Sequence, residues 1–321
     1  SKPLRAGIVG VGHMGRYHVG AYSELLNVQI VGVSDVNVER AKQVTEPFDL
    51  PYFSDHRDLF GKVDMVSVAV PTALHFPVAK EFLENGIHVL LEKPIAPTMA
   101  EAEELFAIAA KNNLVLHIGH VERFNGAVQE MKKIVDNPYI VESKRIGPWT
   151  GRITDAGVVL DILIHDIDIV LNMIDRPIAK LDVQGRKIMS DYEDLVTVQI
   201  TFDNGTLATF LASRVSEEKI RTLTVHQKGA YINLDYSYQE IHIHRSSQSS
   251  YTLTVADGAL KYRQESIVER LFVHKGNPLK FELQHFLNCV QGNGNRMISV
   301  ENELRSLKVS LEVLERLKAV E

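Results

Sequence analysis

Gly10-Val11-Gly12-His13-Met14-Gly15 follows the apolar run Ile8-Val9 and leads into a helical pattern. Each glycine in such a loop has its own task. Gly10 allows the tight turn out of a strand, Gly12 lets backbone N–H groups approach a phosphate, and Gly15 lets helix and strand pack closely. The helix start adds free N–H donors and positive dipole, which favour an anion. Asp35 closes the next apolar run, Val28–Ser34. An acid at that point can take ribose hydroxyls. A glycine turn alone is a weak signal. Strand, loop, helix and acid in this order form a dinucleotide-binding fingerprint, with His13 and Met14 inside the loop counted as part of the site. NAD is expected rather than NADP, because Asp35 would repel a 2′-phosphate and the next residue is Val36, not Arg or Ser. Arg40, five residues on, is the nearby group that would argue for NADP.

Residues 4 to 120 alternate short apolar runs with helical patterns. Strands are expected at Leu4–Val9, Val28–Ser34, Met65–Val70, His88–Leu91 and Val115–Gly119. Helices are expected near Met14–Leu25, Val38–Val44, Phe76–Asn85 and Thr98–Lys111. This rhythm implies an α/β fold, a doubly wound parallel Rossmann sheet with helices on both faces. Thr98 followed by Glu101 reads as a capping box. After residue 122 the rhythm changes. Helices at Ala127–Val135 and Val158–Met173 enclose a strand at Ile140–Ile146. Alternating strands follow at Asp194–Phe202, Thr206–Ser213, Arg221–Lys228, Ala230–Asp235 and Ile241–His244, with Asn204-Gly205 as a hairpin turn. The pattern predicts a C-terminal α+β domain on an open, mostly antiparallel sheet. The expected division is 1–122 and 123–321. Helices at Leu279–Val290 and Val300–Val320 close the chain, the last a candidate to pack back on the first domain.

Of the 321 residues, 45% are apolar and 24% charged, and the net charge is −6. That balance disfavours nucleic acid or an anionic membrane as a partner. Cys289 is the only cysteine, so no internal disulfide and no thiol metal cluster is expected. No run approaches the ~18 apolar residues of a membrane span, and no signal segment precedes the first strand. A cytoplasmic protein is expected. One apolar face of the open sheet would be buried in a homodimer or homotetramer.

Three groups of residues could carry chemistry. Glu92-Lys93-Pro94 lies at the carboxyl end of a strand, where open α/β sheets bind ligands, although Lys93 reads equally well as a surface lysine. Asp161 and His165, four apart, share a helix face with Asp168 nearby among isoleucines and leucines. A histidine there can take a hydroxyl proton while hydride leaves the same carbon, although an ordinary i,i+4 pair fits the spacing too. A metal site is not expected, since only one imidazole sits in this cluster. Arg123, Lys144, Arg145, Arg152, Arg214, Lys219 and Arg221 are scattered basic residues. Arginine forks suit a diphosphate, and each alone also suits a solvated surface.

Taken together, these motifs resemble the glucose–fructose oxidoreductase/inositol dehydrogenase/MocA family of NAD(P)-dependent dehydrogenases. The resemblance rests on Gly10–Gly15, on Pro71-Thr72-Ala73-Leu74-His75, on Gly86-Ile87-His88-Val89-Leu90-Leu91-Glu92-Lys93-Pro94, and on the stretch from Gly157 to His165. It implies that Lys93, Asp161 and His165 form the catalytic set, with His165 as acid/base, Lys93 orienting substrate and cofactor, and Asp161 holding substrate. It also implies that Pro71, Thr72, His75 and Glu92 belong to the cofactor site. Gly119–Asn125, Lys144–Pro148, Arg152–Asp155 and Ser213–Lys219 look like members that oxidise UDP-N-acetylglucosamine at the 3-position. On that reading Arg123, Arg145, Arg152, Asp161 and Arg214 face the substrate. Asp155-Ala156-Gly157 departs from the Gly-Gly that often precedes the family's catalytic helix, and the chain ends at Glu321 without the longer tail of many members. A free polyol or aldose stays open as substrate. So does a non-catalytic NAD-binding regulator, which would need no acid–base pair.

Overall fold

The computed structural model describes residues 2–153, 155–247 and 249–319. Thr154 and the end of the expected closing helix at Val320 lie outside the described residues. The chain opens with β1 (Leu4–Val9), α1 (Gly15–Ser23), β2 (Val28–Ser34), α2 (Val38–Thr45) and β3 (Tyr52–Phe53). Next come β4 (Met65–Val68), α3 (His75–Glu84), β5 (His88–Glu92), α4 (Met99–Lys111) and β6 (Leu116–Gly119). Then follow α5 (Gly126–Ile134), β7 (Ile140–Ile146), a π-helical turn (Val159–Leu163) and α6 (Ile164–Met173). The later strands are β8 (Ile178–Arg186), β9 (Leu195–Phe202), β10 (Leu207–Ser213), β11 (Ile220–Gln227), β12 (Ala230–Asp235) and β13 (Glu240–Ser246). β14 (Ser250–Val255), β15 (Gly258–Arg263), β16 (Ser266–Arg270), α7 (Pro278–Val290) and α8 (Val300–Lys318) complete the order.

Two compact units emerge. The first takes residues up to Phe124 together with Asn277–Leu311. Its sheet runs β3-β2-β1-β4-β5-β6, all parallel, which is the doubly wound order. Strand alternation divides the core. Ala6, Ile8, Met65 and Leu90 face α1 and α7, where Val19, Tyr22, Leu283 and Phe286 are buried. Val9, Val66, Val68, Val89 and Leu91 face α3 and α4, where Phe82, Leu83, Leu105 and Phe106 are buried. The Leu279, Leu283, Phe286 and Leu287 stripe explains why α7 belongs here, whereas the sequence reading placed it in the second domain. β3 was not expected, because two residues carry no periodicity. The Thr98 cap is present, its hydroxyl accepting the Glu101 N–H at 3.3 Å.

The second unit holds Asn125–Gly276 and the chain beyond Leu311. Its eight-stranded sheet runs β16-β13-β12-β11-β7-β10-β9-β8. Only the β7–β10 pair is parallel. β9 and β10 turn at Asn204-Gly205, where Gly205 has φ +87°, as the sequence predicts. One face is buried through Val141, Val198, Ile200, Phe210 and Val225, with α5 against β12 and β13 and the π turn against β10. The other face holds a hollow lined by Glu142, Lys144, Asp182, Gln184, Gln199 and Thr224 among others. This corrects the expected apolar face: the open side is polar. β8 was not expected either, although buried Leu181 and Val183 alternate with exposed Lys180, Asp182 and Gln184; only two apolar positions carry the pattern before Gly185. Among the described residues, no helix is long and apolar enough to cross a membrane.

Candidate active site

Register builds the nucleotide end of the first unit. Val9 pairs with Ser34 and with Val68, and Val68 pairs with Leu91. The next residues, Gly10, Asp35, Ala69 and Glu92, therefore share one row at the carboxyl edge of the sheet. The strand order reverses between β1 and β4, so the glycine loop stands at the switch point. Gly10 has φ +84°, and a Cβ there would lie 2.7 Å from the Ala69 carbonyl oxygen. A Cβ on Gly15 would lie 1.7 Å from the Gly10 carbonyl oxygen, so no other residue fits. Asp35 is buried and ties the loop to β2. Its carboxylate accepts the Val11 N–H at 2.9 Å and the Asn37 N–H at 2.8 Å, with Arg40 3.8 Å away. α1 starts at Met14 with no side-chain cap and no acid in its first turn, so its leading N–H groups suit a pyrophosphate. Gly12 and Met14 are half-buried, and His13 and Pro71 are exposed.

Lys93 and Thr72 are half-buried on the same edge. Two further residues expected at the cofactor are tied to neighbours. Glu92 is buried, its Oε1 2.8 Å from His18 Nε2, and His18 Nδ1 meets the Ser67 hydroxyl at 3.1 Å. His75 is buried with Nδ1 2.7 Å from the Pro94 carbonyl and Nε2 2.9 Å from the Val70 carbonyl. Burial pushes its pKa down, while the two carbonyls, each of which favours an N–H on the nitrogen it faces, push it up; the ring lies between the chain ends after β4 and β5. Glu92 and His75, both expected at the cofactor, make these bonds at the edge of the sheet that carries the glycine loop. They hold the strand ends from which Lys93 and Thr72 project.

In the second unit Asp161 lies in the π turn and His165 in the first turn of α6, both half-buried. Single-turn π segments inside helices are frequent at functional sites. Asp168 is fully buried and accepts from Asn172 Nδ2 at 3.2 Å, so it belongs to the core side of the helix. The start of this segment is held by residues that the sequence reading did not single out. Glu193 takes the Val158 N–H on its carbonyl at 2.9 Å and the Val159 N–H on Oε1 at 3.2 Å. Its carboxyl group lies where a Cβ on Gly157 would stand, 2.0 Å from that position, which is why glycine precedes the turn. Burial raises the Glu193 pKa, its hydrogen bonds opposing. Next to it, the buried Asp194 accepts N–H bonds from Ile188, Met189 and Ser190 at 2.7–3.0 Å. Arg214 Nε donates to Asp194 Oδ1 at 2.7 Å, while Nη1 reaches the carbonyls of Ile153 at 3.2 Å and Ala156 at 2.7 Å. Burial opposes the Asp194 charge, but these donors outweigh it and hold its pKa well below the ordinary carboxylate value. One ion pair thus fixes both the chain entering the π turn and the loop that caps it.

Three of the arginines expected to face substrate make ion pairs within the chain. Arg123 makes a buried bidentate pair with Glu303, at 2.7 and 2.8 Å, within the first unit. Arg145 makes another with Asp166, both bonds 2.9 Å, and lies over the Tyr236 ring. Arg214 is committed to Asp194. A guanidinium fork already neutralised by a buried carboxylate is poorly placed to take a diphosphate. Of the four, Arg152 alone is exposed.

A doubly wound sheet with a glycine loop and a ribose-side acid, in one chain with an Asp/His pair on a broken helix, defines a dinucleotide-dependent oxidoreductase. Comparison with known proteins specifies the class. Residues 4–120 match the Gfo/Idh/MocA oxidoreductase family with NAD-binding Rossmann fold, and residues 119–232 match the Gfo/Idh/MocA C-terminal domain. A UDP-N-acetylglucosamine 3-dehydrogenase of Acidithiobacillus ferrooxidans is 32% identical over 288 residues, 89% of this chain and 88% of that protein. A solved structure of a protein of that name and organism has a TM-score of 0.87 at 30% identity, covering 98% of this chain and 97% of its own. A scyllo-inositol dehydrogenase from Lactobacillus casei, solved with NAD(H) and scyllo-inositol, shares the fold, with a TM-score of 0.79 at 19% identity over 100% of this chain and 98% of its own. The chain belongs to the Gfo/Idh/MocA family. It is an NAD(P)-dependent dehydrogenase acting on CH–OH groups.

Proposed function

We propose that this enzyme uses NAD to oxidise a sugar hydroxyl to a ketone, at C3 of a nucleotide sugar such as UDP-N-acetylglucosamine. The observation that carries the substrate is the 32% identity to a UDP-N-acetylglucosamine 3-dehydrogenase across nearly the full length of both chains. NAD rather than NADP is supported by Asp35, whose buried carboxylate is held by two backbone N–H bonds and would meet a 2′-phosphate as a like charge. The bound nicotinamide supplies the hydride acceptor. His165 takes the hydroxyl proton as the C–H bond breaks, Lys93 stabilises the developing alkoxide, and Asp161 holds a neighbouring hydroxyl. Gly10, Gly12, His13, Met14, Gly15, Pro71 and Thr72 are the proposed cofactor contacts, and Arg152 is the arginine left for the diphosphate.

A second reading, a free polyol or aldose as substrate, is favoured by the commitment of Arg123, Arg145 and Arg214 to carboxylates. We further propose a cytoplasmic homodimer or homotetramer joined through the open sheet face, which Glu142, Lys144 and Asp182 give charges of both signs. The test of substrate is incubation with NAD and UDP-N-acetylglucosamine, NADH being recycled to pull the equilibrium. A product lighter by two hydrogens supports the reading. No product with the nucleotide sugar, but turnover of inositol or glucose, replaces it with the second. NAD binding without turnover of any sugar would favour a regulator.

A further inference from the structure

In the first unit, strand β6 and helix α7 bring together three side chains that the reaction does not use. His285 and Cys289 lie four residues apart on α7, with Cys289 Sγ 3.8 Å from His285 Nε2. His117 of β6 faces them, and one donor atom from each of the three lies within 4.8 Å of the others. His117 is 8% exposed, yet its Nε2 has no hydrogen-bond partner among the described residues. A buried polar atom left this way calls for a missing partner.

We propose that His117, His285 and Cys289 bind a borderline-soft divalent cation, zinc above all, through two imidazole nitrogens and one thiolate. A water would complete the tetrahedron. The donor chemistry fits, because soft thiolate and imidazole select zinc over magnesium or calcium. Binding releases the Cys289 thiol proton to solvent as the S–metal bond forms.

Tetrahedral zinc brings N and S ligand atoms to about 3.5 Å from one another, so the cluster must contract by roughly 1 Å. The rings lie 22° from parallel with centroids 5.3 Å apart, so they must turn about Cβ–Cγ for their lone pairs to converge. His285 Nε2 also gives up a long 3.3 Å bond from the Met297 N–H. The opposing charges nearby are Arg296, anchored on the Leu116 and Ile298 carbonyls at 2.9 and 2.7 Å, and Arg123, paired with Glu303 at 2.7 and 2.8 Å. A cavity of about 20 Å³, lined by His117, Glu282, His285 and Arg296 among others, lies beside the two rings. The metal would clamp α7 to β6. It is a structural role, separate from hydride transfer.

The test is cobalt titration of the full chain, tag removed and metal stripped, under reducing conditions. The expected result is one equivalent of Co²⁺ with intense visible bands of tetrahedral geometry and a near-ultraviolet sulfur-to-cobalt charge-transfer band. Cys289→Ser should abolish that near-ultraviolet band, and His117→Gln should weaken Co²⁺ binding by at least about tenfold. The absence of the near-ultraviolet band in the unsubstituted protein overturns the proposal without any variant. So does a band that persists in Cys289→Ser, or unchanged affinity in a folded His117→Gln protein, in which case a buried water is the partner of His117.

Discussion

Replacing Arg214 with alanine separates two accounts of the same residue. If Arg214 holds Asp194 and the carbonyls of Ile153 and Ala156, the main loss is of stability and of order at the π turn. Breaking a buried ion pair by removing one partner costs about 3–5 kcal/mol. Asp194 keeps three backbone N–H donors and the Ser190 hydroxyl, so about 3 kcal/mol is expected, the low end of that range. For a unit of roughly 150–250 residues that corresponds to a fall in Tm of about 6–12 °C. The pH dependence has a definite sign. A carboxylate whose folded pKa is depressed adds stability above its unfolded pKa and loses it as pH falls through the folded value. Without Arg214 the depression is smaller, so less stability is lost in acid and that loss is complete at a higher pH than in the unsubstituted protein. Denaturant and thermal unfolding between pH 3 and 7, beside steady-state kinetics, measure both effects. An unchanged Tm with a tenfold rise in KM for UDP-N-acetylglucosamine would show that Arg214 is a substrate ligand and refute the reasoning.

Three further outcomes follow from the same geometry. Gly157→Ala should displace the Glu193 carboxyl group, so Gly157→Ala and Glu193→Ala should each cost about 1–2 kcal/mol and kcat, and the double variant no more than the larger single loss. Full additivity in a double-mutant cycle would contradict that. Asp35→Ser should lower kcat/KM for NAD and raise the NADP-to-NAD preference at least about tenfold, since Arg40 loses its carboxylate neighbour; equal preference before and after would count against the cofactor argument. Gly15→Ala should remove NAD binding in calorimetry, because its methyl group would collide with the Gly10 carbonyl; normal affinity would show that the loop can relax.

The sheet of the first unit was legible because its signals are local. Glycines after Val9, an acid after Ser34 and a lysine after Glu92 each stand beside their own strand, and register then aligns them. The hairpin at Asn204-Gly205 was legible for the same reason. What was hidden depends on pairs distant in sequence. Arg123 finds Glu303 and Arg145 finds Asp166, and nothing in either local stretch announces the partner. The same holds for His117 with His285 and Cys289, where only the four-residue spacing on α7 is visible in the chain. Glu193 and Asp194 carry no periodicity at all, yet they fix the turn that holds Asp161. Helix α7 was read correctly as a helix and assigned to the wrong unit, because an apolar stripe says that a face is buried and not against what.

The most direct test of the central claim is His165→Ala, measured for NAD binding by calorimetry and for turnover of the sugar. The account predicts unchanged NAD affinity and a fall in kcat of about 10²–10⁴, the contribution typical of a positioned acid/base. Unchanged turnover in that variant would contradict it.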